Sequence, residues 1–284
     1  MNDIFPDPSS VKALALDLDG TALRPDTTMS DRTLRALKAC QDRGIAVIFC
    51  TGRAVDAAEP YRLPLGAGGP MVYFNGAEVV DMPGGRVLSA TMLEREAADF
   101  CVDLSRRTGV YYQIFFPGTP EYPRGKLMAE RQSEETEMYR KHTGIQAVIG
   151  DLKEALAAPG ITGCIKSMFL AEPEIQETLR PRLIERFGSR IYVARTLRNF
   201  LEVMAAGVSK GRGLALALEY RGLAPEGVIA LGDEENDLPM FEVAGFSVAP
   251  ANAKDKVREA ADRVIGSNAQ DGAAVFLEEF LGKK

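Results

Sequence analysis

Residues 11–21 read VKALALDLDGT. The apolar residues Ala13, Leu14, Ala15 and Leu16 form a run short enough for a buried strand, and it stops abruptly at two carboxylates. Side chains two apart on a strand share a face, so Asp17 and Asp19 lean toward one small space. Gly20 then permits a backbone turn that a residue with a Cβ would resist. Two carboxylates held that close need a cation between them or a split in their proton affinities. An ordinary strand-to-turn junction also ends in Asp, so the weight of this reading rests on the rest of the chain.

Working outward, Ser30 is placed to cap a helix over 31–43, and Gly44 to end it. An apolar strand over 45–50 runs into Thr51–Gly52–Arg53. A second helix and a strand over 71–74 follow, and Asn75–Gly76 signals a hairpin returning over 77–80. Strands this apolar, alternating with helices, belong to a parallel sheet covered on both faces. Met82–Pro83–Gly84–Gly85 breaks the pattern and marks a domain boundary. Beyond it, bunched helices and more alternating strands predict an α+β layer with one solvated sheet face. The α/β rhythm resumes with a helix over 210–220 and a strand over 227–231 leading into the stretch GDEEND at 232–237. The fold expected is α/β: a Rossmann-like, doubly wound parallel sheet core from 1–82 and 199–284, interrupted by an α+β cap domain over 83–198.

The 284 residues, 46% hydrophobic and 26% charged, suit an ordinary globular protein. A formal net charge of −6 argues against a nucleic-acid or anionic-membrane partner. No apolar run approaches the ~18–20 residues of a spanning helix. The N-terminal MNDIFPDPSS has neither a basic nor an apolar signal region, so a cytoplasmic location is expected. Cys40, Cys50, Cys101 and Cys164 form no CxxC pair and read as buried thiols of a reducing compartment. His142 is the single histidine, which excludes histidine-pair nucleophiles and multi-histidine metal sites and leaves a Ser–His–Asp triad little to rest on. No GxGxxG fingerprint occurs.

In an open parallel sheet, functional loops gather beyond the carboxyl ends of the strands. Four groups sit at such ends or on the helix that follows: Asp17 with Asp19, Thr51–Gly52–Arg53, Lys210, and Asp233 with Asn236 and Asp237. Singly, each has a bland reading as a strand-end hydroxyl, a solvated first-turn lysine or an acid complementing a helix dipole. As an ordered set they supply a carboxylate nucleophile, a second carboxylate, a hydroxyl, a cation and oxygen ligands for a hard metal ion. That inventory suits phosphoryl transfer.

DLDGT, CTGR, GVSKG and GDEEND, in this order, resemble the four motifs of the haloacid dehalogenase superfamily of phosphohydrolases. The hairpin, the large insert and the GDxxND form are similar to its Cof-type branch. Ala205–Ala206 stand where relatives often carry proline. The resemblance implies that Asp17 is the nucleophile and forms an aspartyl-phosphate. It implies that Asp19 is the acid and base, and that Thr51 and Lys210 bind phosphoryl oxygens. Gly52, Arg53 and Asn236 are assigned to substrate contact. Mg²⁺ is expected on the Asp17 carboxylate, the Asp19 carbonyl and Asp233, with Asp237 reaching the metal through water or orienting Lys210. The function expected is a Mg²⁺-dependent phosphatase of small phosphorylated metabolites, sugar phosphates foremost. The alternatives are a phosphomutase on the same scaffold and, less favoured, a phospho-accepting signalling module. Selectivity is expected from the insert, with 122–126 and 195–199 as candidates.

Overall fold

The computed structural model describes residues 5–119 and 121–282, so Met1–Ile4 of the N-terminal stretch and Pro120 of the loop over 117–125 lie outside the described residues. The chain divides into two compact units. One runs to Ala54, resumes over Ala58–Ser89 and again from Ser209; the other comprises Val55–Ala57 and Ala90–Val208.

In chain order, the first unit opens with β1 (Ala13–Leu16), α1 (Asp31–Gln41), β2 (Ala46–Phe49), α2 (Val55–Leu65) and β3 (Gly69–Tyr73). Ser30 caps α1 by accepting from the Thr33 N–H at 3.0 Å, and Ala36, Leu37 and Cys40 are buried along its inner face. A turn ending at Gly44, with φ +77°, closes it two residues earlier than expected. β4 (Glu78–Met82) returns antiparallel to β3, and β5 (Arg86–Ala90) pairs in turn with β4. Because Tyr73 stands opposite Glu78, the connection holds four residues, not a two-residue Asn–Gly turn. Phe74, Asn75 and Gly76 all take positive φ there.

The Met82–Gly85 stretch is therefore the β4–β5 turn, closed by the Gly85 N–H on the Asp81 carbonyl at 2.9 Å. The units part after Ser89 and after Val208 rather than at 82/83 and 198/199. The physical reason is strand pairing: β5 is bonded to β4, and the last strand of the insert is bonded within the insert's own sheet.

The second unit contains β6 (Leu93–Glu94), α3 (Arg95–Thr108), β7 (Tyr111–Phe116), β8 (Lys126–Ala129), α4 (Glu134–Thr143) and β9 (Val148–Ile149). It continues with α5 (Leu152–Ala157), β10 (Gly163–Cys164), β11 (Lys166–Leu170), α6 (Pro173–Phe187), β12 (Ile191–Leu197) and β13 (Phe200–Ala205). Six strands form a sheet in the order β12-β13-β11-β7-β8-β9, antiparallel except for the last pair. Helices α3, α5 and α6 bury Cys101, Leu156 and Leu183 against Ile114, Phe169 and Val203 on one face.

The opposite face is not the solvated one expected. Tyr139 of α4 packs on Phe115 and Phe200, with ring centroids 6.1 and 5.7 Å away, and Gln113, Lys166, Met168 and Glu202 are buried. Lys166 and Glu202 are tolerated there because they pair at 2.7 Å. Polar side chains late in β12 and in the β12–β13 connection also bond locally: Arg195 donates to Gln176 and Glu177, and Asn199 to Glu172. His142 lies edge-on to Phe200 in this unit.

The chain re-enters the first unit with α7 (Lys210–Arg221), β14 (Val228–Leu231), α8 (Leu238–Phe241), β15 (Phe246–Pro250), α9 (Asp255–Ala260), β16 (Arg263–Ile265) and α10 (Gly272–Phe280). The main sheet runs β16-β15-β14-β1-β2, all parallel, and a bridge from Cys50 to Val72 continues it toward β3. β1 is central and fully buried, which is why its sequence does not alternate. The strand after β1 in sequence lies on one side of it and β14 on the other, so the sheet's topological switch falls at the carboxyl end of β1. The four cysteines are buried and form no disulfide, and burial pushes the thiols of Cys50, Cys101 and Cys164 well above the usual range. Among the described residues, no helix is long and apolar enough to cross a membrane.

Candidate active site

β1 delivers Asp17 to the switch point, with its N–H on the Leu231 carbonyl at 3.0 Å. The chain then turns sharply, the Leu23 N–H meeting the Leu18 carbonyl at 2.8 Å. Gly20 has φ +78°, and a Cβ there would collide with the Asp233 carboxylate, so glycine is what lets this turn pass against the GDEEND loop. Asn252 fastens the same turn by donating to the Gly20 carbonyl at 2.8 Å. At the start of α7, Ser209 caps the helix by accepting from the Arg212 N–H at 3.1 Å. Ala205 ends β13, and Gly207, with φ +74°, turns the chain before that cap.

Lys210 is buried and donates to Asp17 Oδ1 and to Asp237 Oδ1, each at 2.6 Å. Asp237 Oδ2 accepts the N–H groups of Asp233 and Glu234, each at 2.9 Å. Both oxygens of Asp237 are thus committed to the protein. Asp233 Oδ1 accepts from Thr21 Oγ1 at 2.7 Å. Asp17 Oδ2 and Asp233 Oδ2 have no hydrogen-bond donor among the described residues.

Oxygens of Asp17, Asp233 and Asp237 all lie within 4.8 Å of one another. Three buried carboxylates facing one ammonium leave two negative charges uncompensated. Burial raises the Asp17 carboxyl well above the usual range despite Lys210, and burial with the Asp237 charge raises Asp233 to about 7. Burial opposes the Lys210 ammonium, but Asp17 and Asp237 outweigh it and hold its pKa above the ordinary lysine range. An all-oxygen donor set with excess negative charge fits a hard divalent cation, and the open oxygens are those of Asp17 and Asp233.

The remaining predicted residues flank this cluster. Thr51 is fully buried and its Oγ1 accepts from the Arg53 N–H at 3.1 Å. Arg53 forks onto Asp19, Nε to Oδ2 at 2.7 Å and Nη2 to Oδ1 at 2.6 Å, and lies over the Tyr61 ring. Asn236 donates to Asn75 Oδ1 at 3.0 Å. The structure therefore joins Asp17, Lys210, Asp233 and Asp237 into one bonded group and ties Arg53 to Asp19. Sequence reasoning missed the contributions of Thr21, Asn75 and Asn252. Asn75 carried a signal, since it directly follows the strand expected over 71–74, but it was legible only as a turn former.

The raised Asp233 carboxyl has a measurable consequence. An acid whose pKa is higher in the folded than in the unfolded state stabilises the fold at low pH, and that contribution is lost as pH rises from about 4 to about 7. In metal-free protein, Asp233→Asn is expected to gain stability relative to wild type across that window. Thermal melts of both proteins in a chelator from pH 4 to 8 check this, and a constant difference refutes it.

A family profile of haloacid dehalogenase-like hydrolases matches residues 14–277, and the chain belongs to that family. It is 31% identical over 271 residues to the 5-amino-6-(5-phospho-D-ribitylamino)uracil phosphatase YitU of Bacillus subtilis, covering 94% of this chain and 97% of that protein. It is 25% identical to the pyridoxal phosphate phosphatase YbhA of Escherichia coli, over 96% of this chain and 99% of that one. The crystal structure of a haloacid dehalogenase-like hydrolase from Bacteroides thetaiotaomicron superposes with a TM-score of 0.85 at 25% identity, covering 95% and 99% of the two chains. With phosphatases as relatives over nearly its whole length, the protein is a phosphoric monoester hydrolase of this family.

Proposed function

We propose that the protein is a Mg²⁺-dependent cytoplasmic phosphatase of small phosphorylated metabolites, sugar phosphates foremost, acting through an aspartyl-phosphate on Asp17. The observation that carries this reading is the Asp17 carboxylate: one oxygen is pinned by Lys210, the other has no donor among the described residues, and the Asp233 carboxylate comes within 4.8 Å. A carboxylate so held is oriented for in-line attack on phosphorus. Lys210 has three N–H donors, of which two are spent on Asp17 and Asp237, leaving the third for a phosphoryl oxygen.

Asp19 gives its proton to the leaving alkoxide and later takes one from the water that opens the acyl phosphate. Proton delivery requires the Arg53 fork to loosen, which frees the guanidinium to meet substrate anion. Asp17, the Asp19 carbonyl and Asp233 would hold Mg²⁺, which supplies charge neutralisation around the phosphoryl oxygens. The two phosphatase relatives are named for a phosphoribityl compound and for pyridoxal phosphate, which supports a small phosphorylated metabolite as substrate. Selection among such substrates is assigned to the insert.

The test is a panel of phosphorylated metabolites assayed for phosphate release with Mg²⁺ and with excess EDTA. Release from sugar phosphates that stops in EDTA is expected. Undiminished release in EDTA removes the metal, and conversion to an isomeric phosphate without release points to a mutase.

A further inference from the structure

The β3–β4 turn is built more elaborately than a connection of two strands requires. The Phe74 N–H donates to the Arg53 carbonyl at 3.0 Å, and the Asn75 N–H to the Thr51 carbonyl at 2.9 Å. The two amides thus bracket Gly52 and hold the Thr51–Arg53 loop from both sides. Asn75 adopts φ 58°, a left-handed conformation that asparagine tolerates better than most residues with a side chain. Its side chain is buried and its Oδ1 lies 2.9 Å from where a Cβ on Gly52 would be, so the amide fills the space that this glycine leaves. The same Oδ1 accepts from Asn236 Nδ2 at 3.0 Å. Next in the chain, Gly76 has φ +96°, and a Cβ on it would collide with the Ser209 carbonyl at the cap of α7. One turn therefore touches the loop after β2, the residue before Lys210 and the GDEEND loop.

Asn236 gives the second, independent observation. Its Oδ1 is buried and has no hydrogen-bond partner among the described residues. An amide with one end free rotates unless the other end is held, and a buried acceptor left open is costly unless a donor arrives. The bond to Asn75 fixes which end of Asn236 is which. Nδ2 is committed toward Asn75, and Oδ1 is kept as an acceptor for a donor that enters with the substrate or its waters.

We propose that Asn75 is a positioning residue for phosphoryl transfer, locking the Asn236 amide and the Thr51–Arg53 loop into one geometry around the phosphoryl group. The proposal rests on the phosphatase reading and extends it to a residue outside the four motif groups. Because Asn75 acts where every substrate is alike, its effect does not depend on the leaving group. Misplacement of such groups by about an ångström is worth ~10²-fold in rate.

Asn75→Gly removes the side-chain carbonyl while keeping a residue at ease with positive φ. It is expected to lower kcat ~10²-fold, by the same factor for an aryl phosphate and a sugar phosphate. With Asn236→Ala already present, Asn75→Gly is expected to cost several-fold less than it does alone, because the Asn75–Asn236 link is then already gone while the hold on the Thr51–Arg53 loop is not. Asn75→Ala serves as a second variant: backbone strain enters the single and the double mutant alike and cancels from the coupling. Wild type that releases no phosphate from any substrate fails the phosphatase reading. Active wild type with unchanged Asn75→Gly, with independent losses from the two sites, or with a loss confined to one leaving group overturns the role of Asn75 alone.

Discussion

Asp17→Asn is expected to abolish phosphate release, with a loss on the order of 10⁴- to 10⁶-fold, while the protein stays folded. The substitution keeps the shape of the side chain and an oxygen for Lys210, which donates to Oδ1 at 2.6 Å in the native site. It removes the charge that makes the second oxygen a nucleophile. It also removes one of three buried carboxylates whose oxygens lie within 4.8 Å of one another, relieving their mutual repulsion. Without metal at neutral pH, the variant is therefore expected to melt at or above the temperature of wild type. Rapid-quench trapping of phosphoenzyme, steady-state release from an aryl phosphate and thermal melts check the three parts. A variant that still forms phosphoenzyme at a tenth of the wild-type rate would falsify the assignment of the nucleophile.

The second large effect separates the two acids of GDEEND, and the structure gives them opposite signatures. Asp233 lies beside Asp17 and has an oxygen with no donor among the described residues, and an asparagine there can still accept from Thr21 through its own oxygen. Asp233→Asn is expected to be nearly inactive at every Mg²⁺ concentration yet as stable as wild type or more so. Asp237 has no open oxygen. One accepts from Lys210 and the other from two backbone N–H groups, and the residue is fully buried. An asparagine must turn its NH₂ toward one of these donors, leaving a buried donor unpaired at a cost of about 1–3 kcal/mol. Asp237→Asn is expected to melt lower, to lose ~10–100-fold in metal affinity and to recover in part as Mg²⁺ is raised. Full recovery is not expected, because added metal does not restore the placement of Lys210. Mg²⁺ titrations of activity and melting temperature for both variants test this, and a rescued Asp233→Asn beside an unrescued Asp237→Asn would reverse the assignment.

Much of the site was legible because it is written at strand ends. The runs ALAL before Asp17 and VIAL before Gly232–Asp233 are apolar without alternation, which places them in a covered parallel sheet. Functional loops of such sheets gather at one edge, so the order of the motifs already implied a common site. The insert was less legible. Gln113, Lys166 and Glu202 look like a solvated face along each strand, yet they are buried, with Lys166 and Glu202 paired at 2.7 Å and Tyr139 of α4 packed on the neighbouring Phe115. The domain breaks were misplaced for a related reason. A Pro–Gly turn ends a local pattern equally well between two paired strands and between two domains.

The sequence by itself determined the class of sheet, the strand ends that carry polar groups and the chemical inventory held there, since each follows from local periodicity and residue type. Only the tertiary structure decided who bonds to whom. Lys210 meets Asp17 across 193 residues because β1 sits between β2 and β14, a choice of register and order that no local stretch encodes. Arg53 turned to Asp19, Asp237 was spent on Lys210 and two amides, and Asn75 became the link between two loops. A hydrogen bond forms within a few tenths of an ångström or not at all, so its partners are fixed by packing at a finer scale than any pattern of residue types records.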